Sequence, residues 1–109
     1  MIEETSYQNS KVAKQYLEFT NSENGKIQQE VIFDAIAGTL SKREISQGKS
    51  SLTILDAGCG GGWLTAKLSE TLDGNSKIMG CDFSKDLISY AKETYPQTKF
   101  SNIEFEVTD

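Results

Sequence analysis

The chain has 109 residues, 37% hydrophobic and 25% charged, and its eleven basic and sixteen acidic residues give a net charge of −5. This is enough chain for one core; no apolar run reaches the length of a membrane span, and no basic stripe of the kind that grips nucleic acid is present. Histidine is absent, which removes the commonest metal ligand and the commonest general base, so zinc hydrolysis and Ser-His-Asp chemistry are excluded and no metal site is expected.

The N-terminal stretch MIEETSYQNSK is polar and begins acidic. It lacks the basic start and apolar middle of a signal peptide, so a cytoplasmic location is expected. Residues 1–50 read as a helical segment. From Tyr7 to Phe19, Val12, Tyr16 and Phe19 fall near one face, with Leu17 beside them. Asn24 and Gly25 interrupt that run. Ile27, Val31, Ile32, Ala35, Ile36 and Leu40 then recur at helical spacing. Ser41 to Ser51 reads as a polar linker containing Gly48.

The pattern changes in residues 51–109. Leu52 to Ala57 is a short apolar run that ends in Asp56 and suits a buried parallel strand. A glycine-rich loop, Gly58 to Gly62, follows. Leu64, Leu68 and Leu72 then recur every four residues, as one helix face would. Asp73-Gly74-Asn75 signals a turn. Lys77 to Cys81 is a second strand, ending at Asp82. Ser84 is a good N-cap for a helix carrying Leu87, Ile88, Ala91 and Tyr95, which Pro96 stops. Ile103, Phe105 and Val107 alternate with polar residues as a third strand. Strands separated by helices imply parallel crossovers, so the expected fold is α/β: two helices, then half of a doubly wound Rossmann-like sheet of three strands.

In such sheets ligands bind beyond the carboxyl ends of the strands. The loop between the first strand and its helix is therefore the candidate site. The dinucleotide fingerprint GxGxxG needs a glycine where Trp63 stands, and so fails. The register D-x-G-x-G-x-G is met by Asp56, Gly58, Gly60 and Gly62. A carboxylate at that strand end repels a pyrophosphate and suits a ligand carrying an ammonium. The second acid, Asp82, closes the second strand, where a carboxylate can accept hydrogen bonds from both hydroxyls of a ribose. Phe83 follows it and could pack on an adenine face. Cys59 and Cys81 form no CxxC pattern; both read as small buried residues at neighbouring strand ends, between which a disulfide is conceivable.

The segment ILDAGCGGGWLT resembles the first motif of class I S-adenosylmethionine-dependent methyltransferases. IMGCDFSKDLISYAKE resembles the next motif and IEFEVTD the segment around the third strand, so the resemblance covers residues 52–109. It implies a cofactor, S-adenosylmethionine, bound by Asp56 near its methionine end, by Gly58, Gly60 and Gly62 along the loop, by Asp82 at the ribose and by Asp109 at the adenine amino group; Cys59 and Phe83 stand beside these as candidate contacts. It also implies that the N-terminal helices close over that cofactor, and that the reaction is methyl transfer. The acidic chain favours a small-molecule acceptor over nucleic acid. No residue is singled out as catalytic.

A complete domain of this family has about seven strands, whereas three are expected here. The chain therefore reads as truncated after the third strand. Its first strand would have an unpaired edge, and such an edge recruits a second copy or a partner chain. Two other readings stand beside the enzyme. One is a non-catalytic S-adenosylmethionine-binding or structural fragment that needs a partner chain. The other is a fragment of an NAD-binding oxidoreductase.

Overall fold

The computed structural model describes residues 2–47, 52–72 and 75–108, with side chains described from residue 10 to 40 and throughout the two later stretches. The elements are α1 (Ile2–Thr20), α2 (Glu23–Gln47), β1 (Thr53–Ala57), α3 (Trp63–Thr71), β2 (Lys77–Asp82), α4 (Lys85–Thr94) and β3 (Ile103–Val107). The expected turn at Asp73-Gly74, the boundary between residues 50 and 51, and Asp109 lie outside the described residues.

All strand pairing is parallel, in the order β1-β2-β3. Ile54, Ile78 and Ile103 lie side by side, and so do Asp56, Gly80 and Phe105. Helices α3 and α4 both pack on the face that carries these residues, as two successive crossovers of the same hand require. The core forms there from Ala66 of α3, Ile88 and Ala91 of α4, and Ile103 and Phe105 of β3, joined by Cys59. Ile78, Ile88 and Ile103 are each no more than 2% exposed. Burying one such side chain contributes about 1.5–3 kcal/mol. Leu55, Glu104 and Glu106 point from the opposite face, and Leu55 is 65% exposed. The fold is thus half of a Rossmann-like α/β sheet, as the pattern of residues predicted.

Phe105 owes its place to Gly80. A Cβ at Gly80 would stand 2.8 Å from the Phe105 ring and 3.1 Å from the Cys59 sulfur. The missing side chain on the central strand lets an aromatic ring from β3 lie across the sheet, beneath the glycine loop.

The two N-terminal helices differ from expectation in their ends. The break between them falls at Asn21–Ser22, not at Asn24–Gly25. The hydroxyl of Ser22 accepts the Gly25 N–H at 3.2 Å, the arrangement of an N-cap, and so starts α2 before the glycine. Gly25 is required for another reason: any Cβ there would collide with the Phe19 carbonyl. Helix α2 also runs through the expected linker to Gln47. Lys42, Arg43, Glu44 and Gln47 are sound helix formers, and neither glycine nor proline interrupts the segment before Gly48. The apolar stripes are only partly used. Ala13 is buried and Leu17 half-buried, whereas Val12 and Phe19 beside them are 60% and 48% exposed.

Replacing Gly80 with alanine should cost about 1–3 kcal/mol, since the ring and sulfur above it must both shift. Urea unfolding of the variant against the parent chain measures this; equal midpoints would mean that the Phe105 ring moves freely.

Candidate functional site

Two strand ends and one loop build the site. Gly58, Gly60 and Gly62 all adopt positive φ, at 73°, 58° and 88°. Only glycine takes up three such angles in five residues without strain. The N–H groups of Gly58 and Cys59 both donate to the Cys81 carbonyl, at 2.8 and 2.9 Å, and Gly62 N–H donates to the Cys59 carbonyl. Gly60 N–H donates to Oδ2 of Asp82 at 3.0 Å. The loop therefore spends its N–H groups at 58, 59, 60 and 62 inside the protein. A pyrophosphate, which would need them, finds no cradle there.

Asp82 is the hinge of this arrangement. While Oδ2 receives the loop, Oδ1 receives the Ser84 N–H at 3.0 Å. Ser84 in turn caps α4, its hydroxyl accepting from Leu87 N–H at 3.3 Å. An ionised carboxylate has about four lone-pair sites, so Asp82 keeps acceptor capacity on both oxygens after these two bonds. Phe83, the next residue, is 71% exposed beside it. Asp82, Phe83, Gly58, Gly60, Val12 and Tyr16 border one recess of about 240 Å³. Above Gly58 itself an added Cβ would meet nothing within 4 Å, so the loop opens onto free space at that point.

Asp56 lies at the end of β1, where its Oδ2 accepts from the Thr65 hydroxyl at 2.6 Å. Burial pushes its carboxyl above the usual range, and the Thr65 hydrogen bond pulls the other way. Thr65 is fully buried as the third residue of α3. Nothing in the leucine spacing marked it; the signal was a hydroxyl nine residues after the strand-ending acid, in the first turn of α3. Cys59 is buried in the core, and burial, followed by the negative charges of Asp56 and Asp82, pushes its thiol up to about 12. Such a thiol is no nucleophile. Both cysteines are free. Cys81 alternates with Gly80 along β2 and so faces away from the side where the Cys59 sulfur lies, which argues against the conceivable disulfide.

Of the residues singled out from sequence, Asp56, Gly58, Cys59, Gly60, Gly62, Asp82 and Phe83 thus gather at one end of the sheet; Asp109 lies outside the described residues. Trp63 begins α3 and lines a second cavity of about 210 Å³, with Tyr16, Leu17, Tyr90 and Tyr95. Tyr16, read from sequence only as part of the apolar face of the first helix, borders both cavities. Among the described residues no group of three acidic, cysteine or histidine side chains converges as metal ligands, and no helix is long and apolar enough to cross a membrane.

A family model described as a methyltransferase domain matches residues 48–109. The chain belongs to this methyltransferase family. The methyltransferase 235L of Invertebrate iridescent virus 6, which carries that activity as a candidate assignment, is 40% identical over 60 residues, 55% of this chain and 20% of that protein. Demethylmenaquinone methyltransferase of Lactococcus lactis is 39% identical over 56 residues, 51% of this chain and 22% of that enzyme. The chain thus spans about a fifth of the length of the curated relatives it matches. Among solved structures, a candidate S-adenosyl-L-methionine-dependent methyltransferase from Methanococcus maripaludis superposes with a TM-score of 0.66 at 26% identity, over 91% of this chain and 41% of that one. The methyltransferase-domain match covers the whole strand-loop-helix unit that carries Asp56 and the glycines.

The desolvated Asp56 makes a prediction with a definite sign. Its carboxyl is raised in the folded chain, so the charged form is disfavoured by folding. That contribution is fully favourable only below the unfolded value near 3.8 and is lost as pH rises through the folded value. Asp56→Asn, which still accepts from Thr65, should therefore stabilise the chain at pH 7 and lose that advantage as pH falls below about 4. Thermal melts across pH check this, and a variant less stable than the parent at pH 7 would show that Asp56 is not penalised by burial.

Proposed function

We propose that this chain is the cofactor-binding part of an S-adenosylmethionine-dependent methyltransferase acting on a small-molecule acceptor. The observation that carries the reading is the state of Asp82. It anchors the glycine loop and the α4 cap through two backbone N–H groups, yet keeps lone pairs toward the recess beside Gly58 and Phe83. Those lone pairs suit the two hydroxyls of a ribose. Phe83 offers a ring for an adenine, and the resemblance to the family assigns Asp109 to the same adenine. Asp56 would face an ammonium, a partner that favours its charged form and offsets its burial. The glycine loop would line the cofactor's methionine end.

Bound there, the cofactor would supply a methyl group on a positively charged sulfur, already activated as a leaving group. The protein's contribution is then alignment of acceptor and methyl, which is consistent with a chain that contains no histidine. The NAD reading loses ground for the reason given by the loop: four of its five N–H groups are committed within the protein. The small-molecule acceptor is supported by the acidic balance of the chain and by the activity that the Lactococcus relative is named for. A cytoplasmic setting accords with two free thiols.

Association belongs to the same reading. Strand β1 pairs only with β2 among the described residues, and Leu55 on it is 65% exposed. Such an edge is a template for another strand, so a second copy or a partner chain is proposed to pair there. Sedimentation of the 109-residue chain should show a concentration-dependent dimer, and a monomer at every concentration would remove this proposal.

Calorimetric titration with S-adenosylhomocysteine, with NADH as control, tests the cofactor. Saturable binding of the first alone is expected. Asp82→Ala should weaken it at least about tenfold, since hydrogen bonds to a charged acceptor are each worth about 1.5–3 kcal/mol. Binding of NADH alone would overturn the proposal. Binding of S-adenosylhomocysteine by a chain that methylates no acceptor would favour the binding-module reading.

A further inference from the structure

Helix α1 closes the cleft described above with its own side chains. The Tyr16 phenol lies directly on Gly60: a Cβ there would stand 2.5 Å from the hydroxyl and 2.8 Å from two ring carbons. The next residue, Leu17, lies on Gly61 in the same way, 2.8 Å from where a Cβ would be. Two adjacent glycines are thus the bed on which two adjacent residues of α1 rest. Burial, followed by the negative charge of Asp82, raises the Tyr16 hydroxyl above its ordinary range, so the phenol stays neutral.

Size decides what this closure means. With Tyr16 in place, the recess beside Asp82 holds about 240 Å³ and the aromatic-lined cavity about 210 Å³. Sites for ligands of drug-like or nucleoside size hold about 300–1,000 Å³. The decisive contact is steric: the Tyr16 phenol already fills the space directly on Gly60, so a ligand resting on both Asp82 and Gly60 needs Tyr16 to move. The helix that carries it is lightly held. Its buried seam is Ala13 with Leu17, and Val12 and Phe19 beside that seam are largely exposed. Among the described residues toward its N-terminal end, the Ser10 hydroxyl ties it down by donating to Oδ2 of Asp86 at 2.6 Å. Asp86 sits in the first turn of α4, two residues past the Ser84 cap that Asp82 holds.

We propose that Tyr16 is the gate of this cleft, and that Ser10 and Asp86 are positioning residues that hold it shut on Gly60. The proposal rests on the reading of the cleft as the cofactor site. Ligand entry then requires α1 to lift at its Ser10 end. The Ser10–Asp86 bond is broken for that interval, and Tyr16 stays off Gly60 while the ligand rests there. The latch joins the gate to the same helix whose cap is built on Asp82, so gate and ligand site share one rigid support.

The test uses the 109-residue chain, its Ser10→Ala and Ser10→Thr variants, and Tyr16→Ala. Trp63, the sole tryptophan, borders the same cavity as Tyr16 and reports on the cleft by fluorescence. On rapid mixing with S-adenosylhomocysteine, Ser10→Ala and Tyr16→Ala should each raise the association rate constant, the first about fivefold, the factor that a net hydrogen bond of about 1 kcal/mol supplies. Ser10→Thr, which keeps the hydroxyl, should restore the parent rate. Hydrogen exchange without ligand gives an independent readout. In Ser10→Ala the amides of residues 12–20 should exchange about fivefold faster while those of α3 are unchanged. Equal association rates in the parent and both alanine variants would overturn the gate. Equal exchange in parent and Ser10→Ala would overturn the latch. If the parent chain binds no S-adenosylhomocysteine, the cofactor reading fails, and exchange still decides whether Ser10 holds α1.

Discussion

The carboxylate of Asp82 joins three elements that would otherwise have separate fates. One oxygen takes the Gly60 N–H and fixes the loop; the other takes the Ser84 N–H and fixes the start of α4. Both bonds go to an ionised acceptor, the stronger kind. They lie at the end of the central strand, where β1 and β3 flank it. The loop, the helix cap and the sheet end therefore hold one geometry, and every proposed contact with a ligand is measured from that point.

The glycines acquire a sharper meaning in this setting. Positive φ accounts for Gly58, Gly60 and Gly62. Close approach accounts for Gly61 and Gly80, one beneath Leu17 and one beneath Phe105. A glycine-rich loop after a strand suggests a phosphate cradle, yet here the N–H groups at 58, 59, 60 and 62 all donate internally. The same residue type that elsewhere receives an anion serves here to admit the loop's own turns and the side chains of α1. Charge agrees with this, since Asp56 and Asp82 both stand at the mouth of the site.

The sheet also has a marked polarity of cover. Its helix-bearing face holds the isoleucine row and the Phe105 ring, whereas the other face leaves Leu55 in solvent. The curated relatives are about five times as long as the matched segment. The N-terminal helices likewise leave part of their apolar stripes in solvent, Val12, Phe19, Ile27 and Val31 among them.

The sequence by itself determined the local elements and their order. Alternation marked β3, the apolar run before Asp56 marked β1, and Ser84 with Pro96 bounded α4, because capping, periodicity and the missing proline donor act within a few residues. It also determined the family, since strand, acid, glycine loop and second acid are read along the chain. Its errors lay where short-range rules compete: Gly25 read as a breaker because its need for close approach to Phe19 is invisible locally, and the polar stretch before Gly48 read as a linker although its residues favour a helix. Only the tertiary structure decided which N–H groups of the loop were already spent, that Thr65 holds Asp56, that the two cysteines face apart, and that Tyr16 lies on Gly60 beneath a Ser10–Asp86 tie. Apart from the Gly62–Cys59 turn bond, each of these joins residues between 9 and 76 positions apart. Their distances depend on how the helices dock on the sheet, and no pattern of neighbouring residues carries that information.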